Sequence, residues 1–173
     1  QSIEKDNPPI RPPEESHQQK MEKYYKYHAA IYDQSRRFFL LGRNRLINQL
    51  PSHLAPKTIF EIGCGTGYNL PKIVRDFPDA QVYGIDTSVN MLKQASKKVA
   101  PYANVTLLHD AYSEQLNARP AKADLIIFSY VLSMINPGWK ALIDLCYRDL
   151  NDGGIVAVID FQKSKYKWYH RMM

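Results

Sequence analysis

From residue 58 onwards, short apolar runs alternate with segments in which apolar side chains recur at helical spacing. Five runs predict strands, at residues 58–62, 81–86, 105–108, 123–128 and 155–159. Three segments predict helices, at residues 70–77, 88–99 and 139–150, with Ser88 as an N-cap and a closing turn at residues 151–154. Because the strands lack alternation of polar and apolar residues, they are typical of a parallel sheet buried on both faces. The pattern predicts a doubly wound α/β fold.

The chain before this domain has a different pattern. Four of its first 13 residues are proline, which predicts a flexible or extended lead. Large apolar side chains then recur at helical spacing, which predicts one long helix or two short ones over residues 14–50, ended by Pro51. The predicted organisation is therefore a lead at 1–13, a helical extension at 14–50, an α/β domain at 51–161 and a tail at 162–173.

Composition is that of a globular domain, with 45% hydrophobic and 23% charged residues, which excludes global disorder and collagen-like repeats. Two cysteines, Cys64 and Cys146, are too few for a disulfide framework and fit a reducing compartment such as the cytoplasm. The chain contains no apolar run of bilayer-spanning length, and residues 1–16 lack the apolar region of a secretory signal.

The net charge of +6 is concentrated in the flanks. Residues 1–50 carry +3, residues 51–161 carry −1, and residues 162–173 carry +4. This distribution indicates an anionic partner, either phospholipid or nucleic acid, although simple solubility charge explains it equally well. Aromatic residues lie between the basic residues of the tail, which suits a lipid interface or single-stranded nucleic acid. Nucleic acid is the less favoured partner because no recognition motif is visible.

A glycine-rich segment, Glu61-Ile62-Gly63-Cys64-Gly65-Thr66-Gly67, follows the first predicted strand and precedes a helix. Its G-x-G-x-G spacing is one residue shorter than the dinucleotide motif, and Asp86 lies 19 residues beyond Gly67 at the tip of the second strand. A carboxylate there accepts both ribose hydroxyls. The arrangement predicts a ligand with a free ribose and no adjoining diphosphate; a tight turn without a ligand is the alternative.

These motifs resemble the class I S-adenosylmethionine-dependent methyltransferases over residues 58–160. The resemblance implies that the glycine loop holds the methionine part of the cofactor, Asp86 the ribose and Asp110 the adenine amine, with S-adenosylhomocysteine as product. It also implies that residues 128–130 form a wall facing the acceptor. The predicted cofactor-binding residues are Tyr32, Arg43, Glu61, Gly63, Cys64, Gly65, Gly67, Asp86, Thr87, Ser88, Met91, Asp110, Ala111 and Ser129.

A narrower resemblance involves residues 28–46, HAAIYDQSRRFFLLGRNRL, and residues 128–135, FSYVLSMI. Both segments are similar to motifs of the betaine-lipid N-methyltransferases, which methylate the amine of a diacylglyceryl homoserine headgroup. The resemblance implies a lipid-headgroup N-methyltransferase on the inner face of a membrane. The alternatives are a small-molecule or quinone methyltransferase on the same core, and a non-catalytic protein that binds cofactor or nucleic acid.

Methyl transfer to a neutral amine is an in-line displacement that needs no metal and no covalent intermediate, so positioning supplies most of the rate. We predict that Tyr32 and Tyr130 face the methyl group, and that Arg36 and Arg43 bind the cofactor carboxylate or a lipid phosphate. The five histidines show no ligand spacing, so no metal site is predicted. In the class I fold two further strands follow the fifth, and residues 161–173 are too few to form them. We therefore expect those strands, and the part of the acceptor site they supply, to be absent from this chain.

Overall fold

The computed structural model describes residues 42–50, 54–114, 116, 122–135 and 138–161. For residues 42–44 it describes the backbone only. Four α-helices, five β-strands and one 3-10 helix lie in this part of the chain. The helices are α1 (Gly42–Asn48), α2 (Leu70–Asp76), α3 (Val89–Val99) and α4 (Trp139–Asp149), and the 3-10 helix is Leu132–Met134. The strands are β1 (Thr58–Ile62), β2 (Gln81–Asp86), β3 (Val105–His109), β4 (Ala123–Ser129) and β5 (Leu150–Ile159).

The strands form one parallel sheet in the order β3-β2-β1-β4-β5. The chain winds outward in one direction from β1 to β3 and then in the other direction through β4 and β5. In doubly wound sheets, ligands bind beyond the carboxyl ends of the strands at the point where the direction changes. Here that point lies between β1 and β4. The predicted parallel α/β fold is confirmed.

Each face of the sheet is covered by a separate hydrophobic core. Ile59 and Ile127 face a cluster that includes Leu70 of α2, whereas Phe60 and Phe128 face a cluster that includes Cys146 of α4. Successive strand residues point to opposite faces, so a sheet covered on both sides needs apolar residues at nearly every position. This explains why the strands show no alternation in the sequence.

The predicted turn at residues 151–154 is wrong, because these residues belong to β5. Ala123 pairs with Leu150 and Leu125 pairs with Ile155, so the register shifts and residues 151–154 form an irregular bulge opposite β4. Asn, Asp and Gly are typical of turns and of bulges alike, and the sequence pattern does not separate the two. The chain thus passes from α4 directly into an extended strand.

Only the end of the predicted helical extension lies in the described residues. Helix α1 ends at Asn48, before Pro51, and Ile47 is buried in the core that also includes Ile59. The remainder of the extension, the proline-rich lead and the tail at 162–173 lie outside the described residues.

Asp124 joins three strands at their amino ends. One carboxylate oxygen accepts the backbone N–H groups of Lys57 (2.8 Å) and Thr58 (2.9 Å), and the other accepts the Asn151 amide (2.7 Å). Burial alone would raise the pKa of Asp124, but the bonds from Asn151, Thr58 and Lys57 outweigh it and lower the pKa. A lowered pKa stabilises the fold above the ordinary value of 3.8, and that stabilisation is lost as the pH falls through the lowered value.

We expect Asp124→Ala to lower the free energy of unfolding at neutral pH by about 1–2 kcal/mol, the lower part of the range for charged hydrogen bonds because the side chain is partly exposed. The measurement is urea unfolding at several pH values. The difference from the parent should shrink as the pH falls below 3.8. Asp152→Ala, an exposed acid on the same strand β5, is the control and should change little. Equal effects of the two substitutions would contradict the role of Asp124.

Candidate functional site

The glycine loop connects β1 to α2 at the carboxyl edge of the sheet. Gly63 and Gly65 adopt positive φ angles of 67° and 56°. A side chain at Gly63 would place its Cβ 2.4 Å from Cγ2 of Val131, so this glycine lets the loop contact the segment after β4. At Gly65, a Cβ would meet no atom of the described residues within 4 Å. Within the part of the chain that the structure describes, the loop is therefore closed against the segment after β4 on one side and open at Gly65.

Backbone donors of the loop are held by the end of β2. The N–H groups of Gly63 and Cys64 both donate to the carbonyl of Ile85, at 2.8 and 3.1 Å. The N–H of Gly65 donates to Oδ2 of Asp86 at 2.7 Å. Phosphate-binding loops instead direct such groups at the ligand. The geometry agrees with the prediction of a ligand that has no diphosphate at this loop.

Asp86 lies at the tip of β2 and uses both carboxylate oxygens to shape the site. While Oδ2 accepts from Gly65, Oδ1 accepts the N–H of Ser88 at 2.8 Å. Ser88 in turn caps α3 by accepting the N–H of Met91 at 3.4 Å, as predicted. Burial raises the pKa of Asp86, although the N–H groups of Ser88 and Gly65 and the nearby His109 lower it in part. A half-buried carboxylate with spare lone pairs suits a ligand that brings hydroxyl donors.

A second carboxylate lies on the other side of the loop. Glu61 on β1 is buried, and its Oε1 accepts the side-chain amide of Asn69 at 2.7 Å. Both acids act on the thiol of Cys64: burial, then the charges of Glu61 and Asp86, raise its pKa well above the ordinary value. The thiol therefore stays protonated, and Cys64 fills space in the loop instead of acting as a nucleophile.

The end of β3 supplies the other edge of the site. Asp110 is exposed, and its Oδ1 accepts the N–H of Ala111 at 2.7 Å. The imidazole of His109 bonds to the carbonyl of Thr87 at 3.0 Å and so joins the loops after β2 and β3. Asp110 and Ala111 thus follow β3, the strand that pairs with β2, where a ligand bound at the tip of β2 would continue toward the sheet edge.

The segment after β4 forms the opposite wall. Ser129 is buried, and its hydroxyl makes no hydrogen bond within the described part of the chain. Tyr130 is also buried, with its ring against that of Phe161 at a centroid distance of 4.8 Å. Its N–H donates to the carbonyl of Ile159 at 2.7 Å. This wall comes from the carboxyl ends of β4 and β5 together.

Most of the predicted site residues meet at one edge of the sheet. The residues that do so are Glu61, Gly63, Cys64, Gly65, Gly67, Asp86, Thr87, Ser88, Asp110, Ala111, Ser129 and Tyr130. Met91 lies in the first turn of α3, and its side chain is buried. Tyr32 and Arg36 lie outside the described residues, as does the side chain of Arg43. Sequence reasoning missed Asn69, His109 and Asp160. Asp160 directly follows a parallel strand, a position that could have marked it as a site residue.

The residues present fit S-adenosylmethionine. The two carboxylates that raise the pKa of Cys64, Glu61 and Asp86, favour a cationic ligand such as a sulfonium at this loop. Among the described residues, none fills the space at Gly65, so ligand atoms could enter it, and none bonds to the hydroxyl of Ser129, a polar group that a ligand could satisfy. If the ribose lies at Asp86 and the adenine at Asp110, as the sequence predicts, the strand order would leave the rest of the cofactor over β1 and β4.

Comparison with known proteins agrees with this site. Residues 59–154, more than half of the chain, match the family described as methyltransferase domain. The malonyl-[acyl-carrier protein] O-methyltransferase of Priestia megaterium is 29% identical over 154 residues, covering 88% of this chain and 55% of that protein. The trans-aconitate 2-methyltransferase of Pseudomonas aeruginosa is 30% identical over 136 residues, covering 76% of this chain and 46% of that protein. The chain thus spans about half the length of these curated relatives.

A solved structure shows the same likeness. An N-methyltransferase of Haemonchus contortus, in complex with phosphomonomethylethanolamine and S-adenosylhomocysteine, superposes with a TM-score of 0.55. The two sequences are 25% identical, and the superposition covers 66% of this chain and 26% of the Haemonchus contortus chain. Together with the strand order and the glycine loop, these matches confirm the methyltransferase class and S-adenosylmethionine as the cofactor. The chain belongs to the class I S-adenosylmethionine-dependent methyltransferases.

Proposed function

We propose that this chain carries the catalytic site of a methyltransferase that acts on a small-molecule acceptor. One observation carries the proposal: at the switch point of the sheet, the described residues place the Asp86 carboxylate, a glycine loop with free space at Gly65, and a Ser129 hydroxyl that none of them bonds. The names of the two curated relatives, which refer to malonyl and aconitate acceptors, support a small-molecule or carrier-bound acceptor.

The residues of the chain act mainly by positioning. Bound S-adenosylmethionine supplies an electrophilic methyl group, and the acceptor displaces the sulfur in line. Asp86 accepts the ribose hydroxyls and Asp110 the adenine amine, so the cofactor is fixed at two points along the sheet edge. Ser129 and Tyr130 then orient the acceptor at the end of β4. Holding two reactants in line lowers the entropic part of the barrier, which is the principal demand of this reaction.

The charge of the acceptor wall favours an amine over a carboxylate. Within the described segments 129–135 and 159–161, Asp160 is the one charged residue, and it is negative. A carboxylate acceptor would be repelled by this wall, whereas an ammonium group would be attracted. An amine acceptor would still have to lose a proton before it attacks, and burial beside Tyr130 favours the neutral form.

A lipid-borne amine is the second candidate. The similarity of residues 28–46 and 128–135 to betaine-lipid N-methyltransferases supports it, as do the four basic residues of the tail at 162–173. Those tail residues and Tyr32 lie outside the described part of the chain. No helix in the described part is both long and apolar enough to cross a membrane.

A panel of acceptors tests both candidates. The protein should first bind S-adenosylhomocysteine by calorimetry; failure to bind would contradict the methyltransferase proposal. Methyl transfer is then followed by mass spectrometry with diacylglyceryl homoserine in micelles, phosphoethanolamine and trans-aconitate. We expect methylation of an amine and none of trans-aconitate. Transfer to the carboxylate alone would overturn the amine assignment, and transfer to phosphoethanolamine but not to the lipid would remove the lipid candidate.

The tail provides a separate test of membrane attachment. Replacing Lys163, Lys165, Lys167 and Arg171 together with Gln should abolish sedimentation with phosphatidylglycerol vesicles, because each basic residue near an anionic surface contributes about 1 kcal/mol. Binding by the parent should also weaken as salt rises. Cofactor affinity should stay unchanged in the variant. Equal sedimentation of parent and variant would show that the tail is not the membrane contact.

A further inference from the structure

Tyr130 has a backbone conformation that needs support from its surroundings. Its φ angle is +59°, and among the described residues it alone has a positive φ without being glycine. A side chain in this region is crowded by its own backbone, which costs about 1–3 kcal/mol, so the conformation persists only where surrounding contacts impose it. Such residues cluster at functional sites, so the contacts that hold Tyr130 indicate what the fold maintains here.

Asp160, the residue after β5, supplies the main polar contacts of this segment. Its Oδ2 accepts the backbone N–H of Ser133 at 2.9 Å, and its Oδ1 accepts the Ser133 hydroxyl at 2.7 Å. Oδ1 also accepts the N–H of Phe161 at 2.7 Å. One carboxylate therefore fixes the 3-10 helix after Tyr130 and, at the same time, the residue whose ring packs on Tyr130.

The same segment rests on the cofactor loop. Val131 lies between Tyr130 and the 3-10 helix, and its side chain occupies the position that a Cβ on Gly63 would take. The N–H of Tyr130 is bonded to Ile159 on the other side. The segment is thus held between the glycine loop and the end of β5, and Asp160 fixes its far end.

We propose that Asp160 and Ser133 form a positioning pair that holds Tyr130 and Ser129 against the reacting methyl group without taking part in cofactor binding. The inference rests on the proposed function and deepens it, because it assigns the support of the acceptor wall to Asp160, after β5, and to Ser133 in the 3-10 helix. Asp160 and Ser133 act through the segment 129–131, and Asp86 and Asp110 hold the cofactor from the other half of the sheet.

Asp124 offers a comparison within the same sheet. It also accepts three hydrogen bonds and ties β4 to β5, but at the amino ends of the strands, away from the site. If Asp160 only stabilised the fold, losing it would resemble losing Asp124. If it positions the wall, losing it changes the surroundings of the bound methyl group, which losing Asp124 leaves unchanged.

The test uses S-adenosylmethionine carrying a ¹³C-labelled methyl group and needs no acceptor. NMR records the methyl signal in complexes of the parent and of Asp160→Ala, Ser133→Val, Ser133→Thr and Asp124→Ala, and calorimetry gives each affinity for S-adenosylhomocysteine. Val and Thr have the same shape, and Thr retains the hydroxyl that Asp160 accepts. We expect Asp160→Ala and Ser133→Val to displace the methyl signal from the parent position while affinity changes less than about threefold. Ser133→Thr and Asp124→Ala should keep the parent signal.

The outcomes separate the two proposals. If the parent does not bind S-adenosylhomocysteine, the proposed function fails. If the parent binds and the methyl signal is the same in all variants, the positioning pair is overturned while the proposed function stands. If Ser133→Val and Ser133→Thr displace the signal equally, the hydroxyl bond to Asp160 is not the cause and the pair is likewise overturned. Should Asp160→Ala not fold, the two Ser133 variants decide the question.

Discussion

Asp86→Ala should weaken the binding of S-adenosylhomocysteine roughly tenfold to a hundredfold. The carboxylate lies half-buried at the tip of β2, and a charge-assisted pair with ribose hydroxyls contributes about 1.5–3 kcal/mol. That free energy corresponds to this range of affinities, since about 1.4 kcal/mol changes an equilibrium constant tenfold. Calorimetry measures the effect directly. Asp79→Ala removes an exposed acid in the turn before β2, so it should leave affinity within about twofold.

The substitution also removes an acceptor from the N–H groups of Gly65 and Ser88, so the loss has two sources. A cycle with 2′-deoxy-S-adenosylhomocysteine separates them. If Asp86 accepts the ribose hydroxyl, the parent should discriminate against the deoxy ligand and Asp86→Ala should not. Equal discrimination by both proteins would place the ribose elsewhere and leave Asp86 as a support of the loop.

Because the pKa of Asp86 is raised, the stability of the fold and the affinity for the cofactor should change in opposite directions as the pH rises. The folded protein holds this proton more firmly than the unfolded chain, so the contribution to stability is present below the ordinary value of 3.8 and is lost as the pH rises through the raised pKa. Over the same window, cofactor affinity should increase because the carboxylate is the form that accepts two hydroxyls. The buried negative charge of Asp86 therefore lowers the stability of the unliganded protein, and the same charge favours binding of a ligand that donates hydroxyl groups to it.

The positions of the strands and the edge of the sheet that carries the predicted cofactor site were accessible from sequence, because both depend on local patterns. Uninterrupted apolar runs marked strands covered on both faces, and Asp86 followed such a run at the distance that a βαβ unit requires. The bulge at residues 151–154 was not accessible, because its Asn, Asp and Gly residues satisfy a turn equally well. Its conformation is decided by pairing with β4, which is a tertiary contact.

The polar contacts of the site were the least accessible part. Asn69 bonds to Glu61 across the glycine loop, and Ser133, after β4, bonds to Asp160, after the neighbouring strand β5. No local spacing in the sequence relates the two members of either pair. Tyr130 was predicted as a site residue, but its backbone conformation was not accessible, because a positive φ contradicts the intrinsic preference of tyrosine. Local rules failed where the fold holds residues in unfavourable conformations, and such positions are frequent at functional sites.

Gly63 and Gly65 should respond to substitution in different ways, although both have positive φ angles. Gly65→Val should leave the protein folded, at a cost of about 1–2 kcal/mol for the left-handed backbone, because a Cβ there meets no atom of the described residues within 4 Å. It should nevertheless abolish binding of S-adenosylhomocysteine, since the side chain would occupy the space above the loop. Normal binding by this variant would show that the loop is structural only.

Gly63→Ala should instead destabilise the fold by about 2–5 kcal/mol, because the backbone strain adds to an overlap with the side chain of Val131. The overlap is with Cγ2 at 2.4 Å and Cβ at 3.0 Å, so adding Val131→Ala removes the nearer atom and should restore part of the stability. Urea unfolding of the single and double variants measures that recovery. Equal destabilisation of the parent and of the Gly63→Ala protein by Val131→Ala would show that the two side chains do not meet. That result would contradict the contact between the cofactor loop and the acceptor wall.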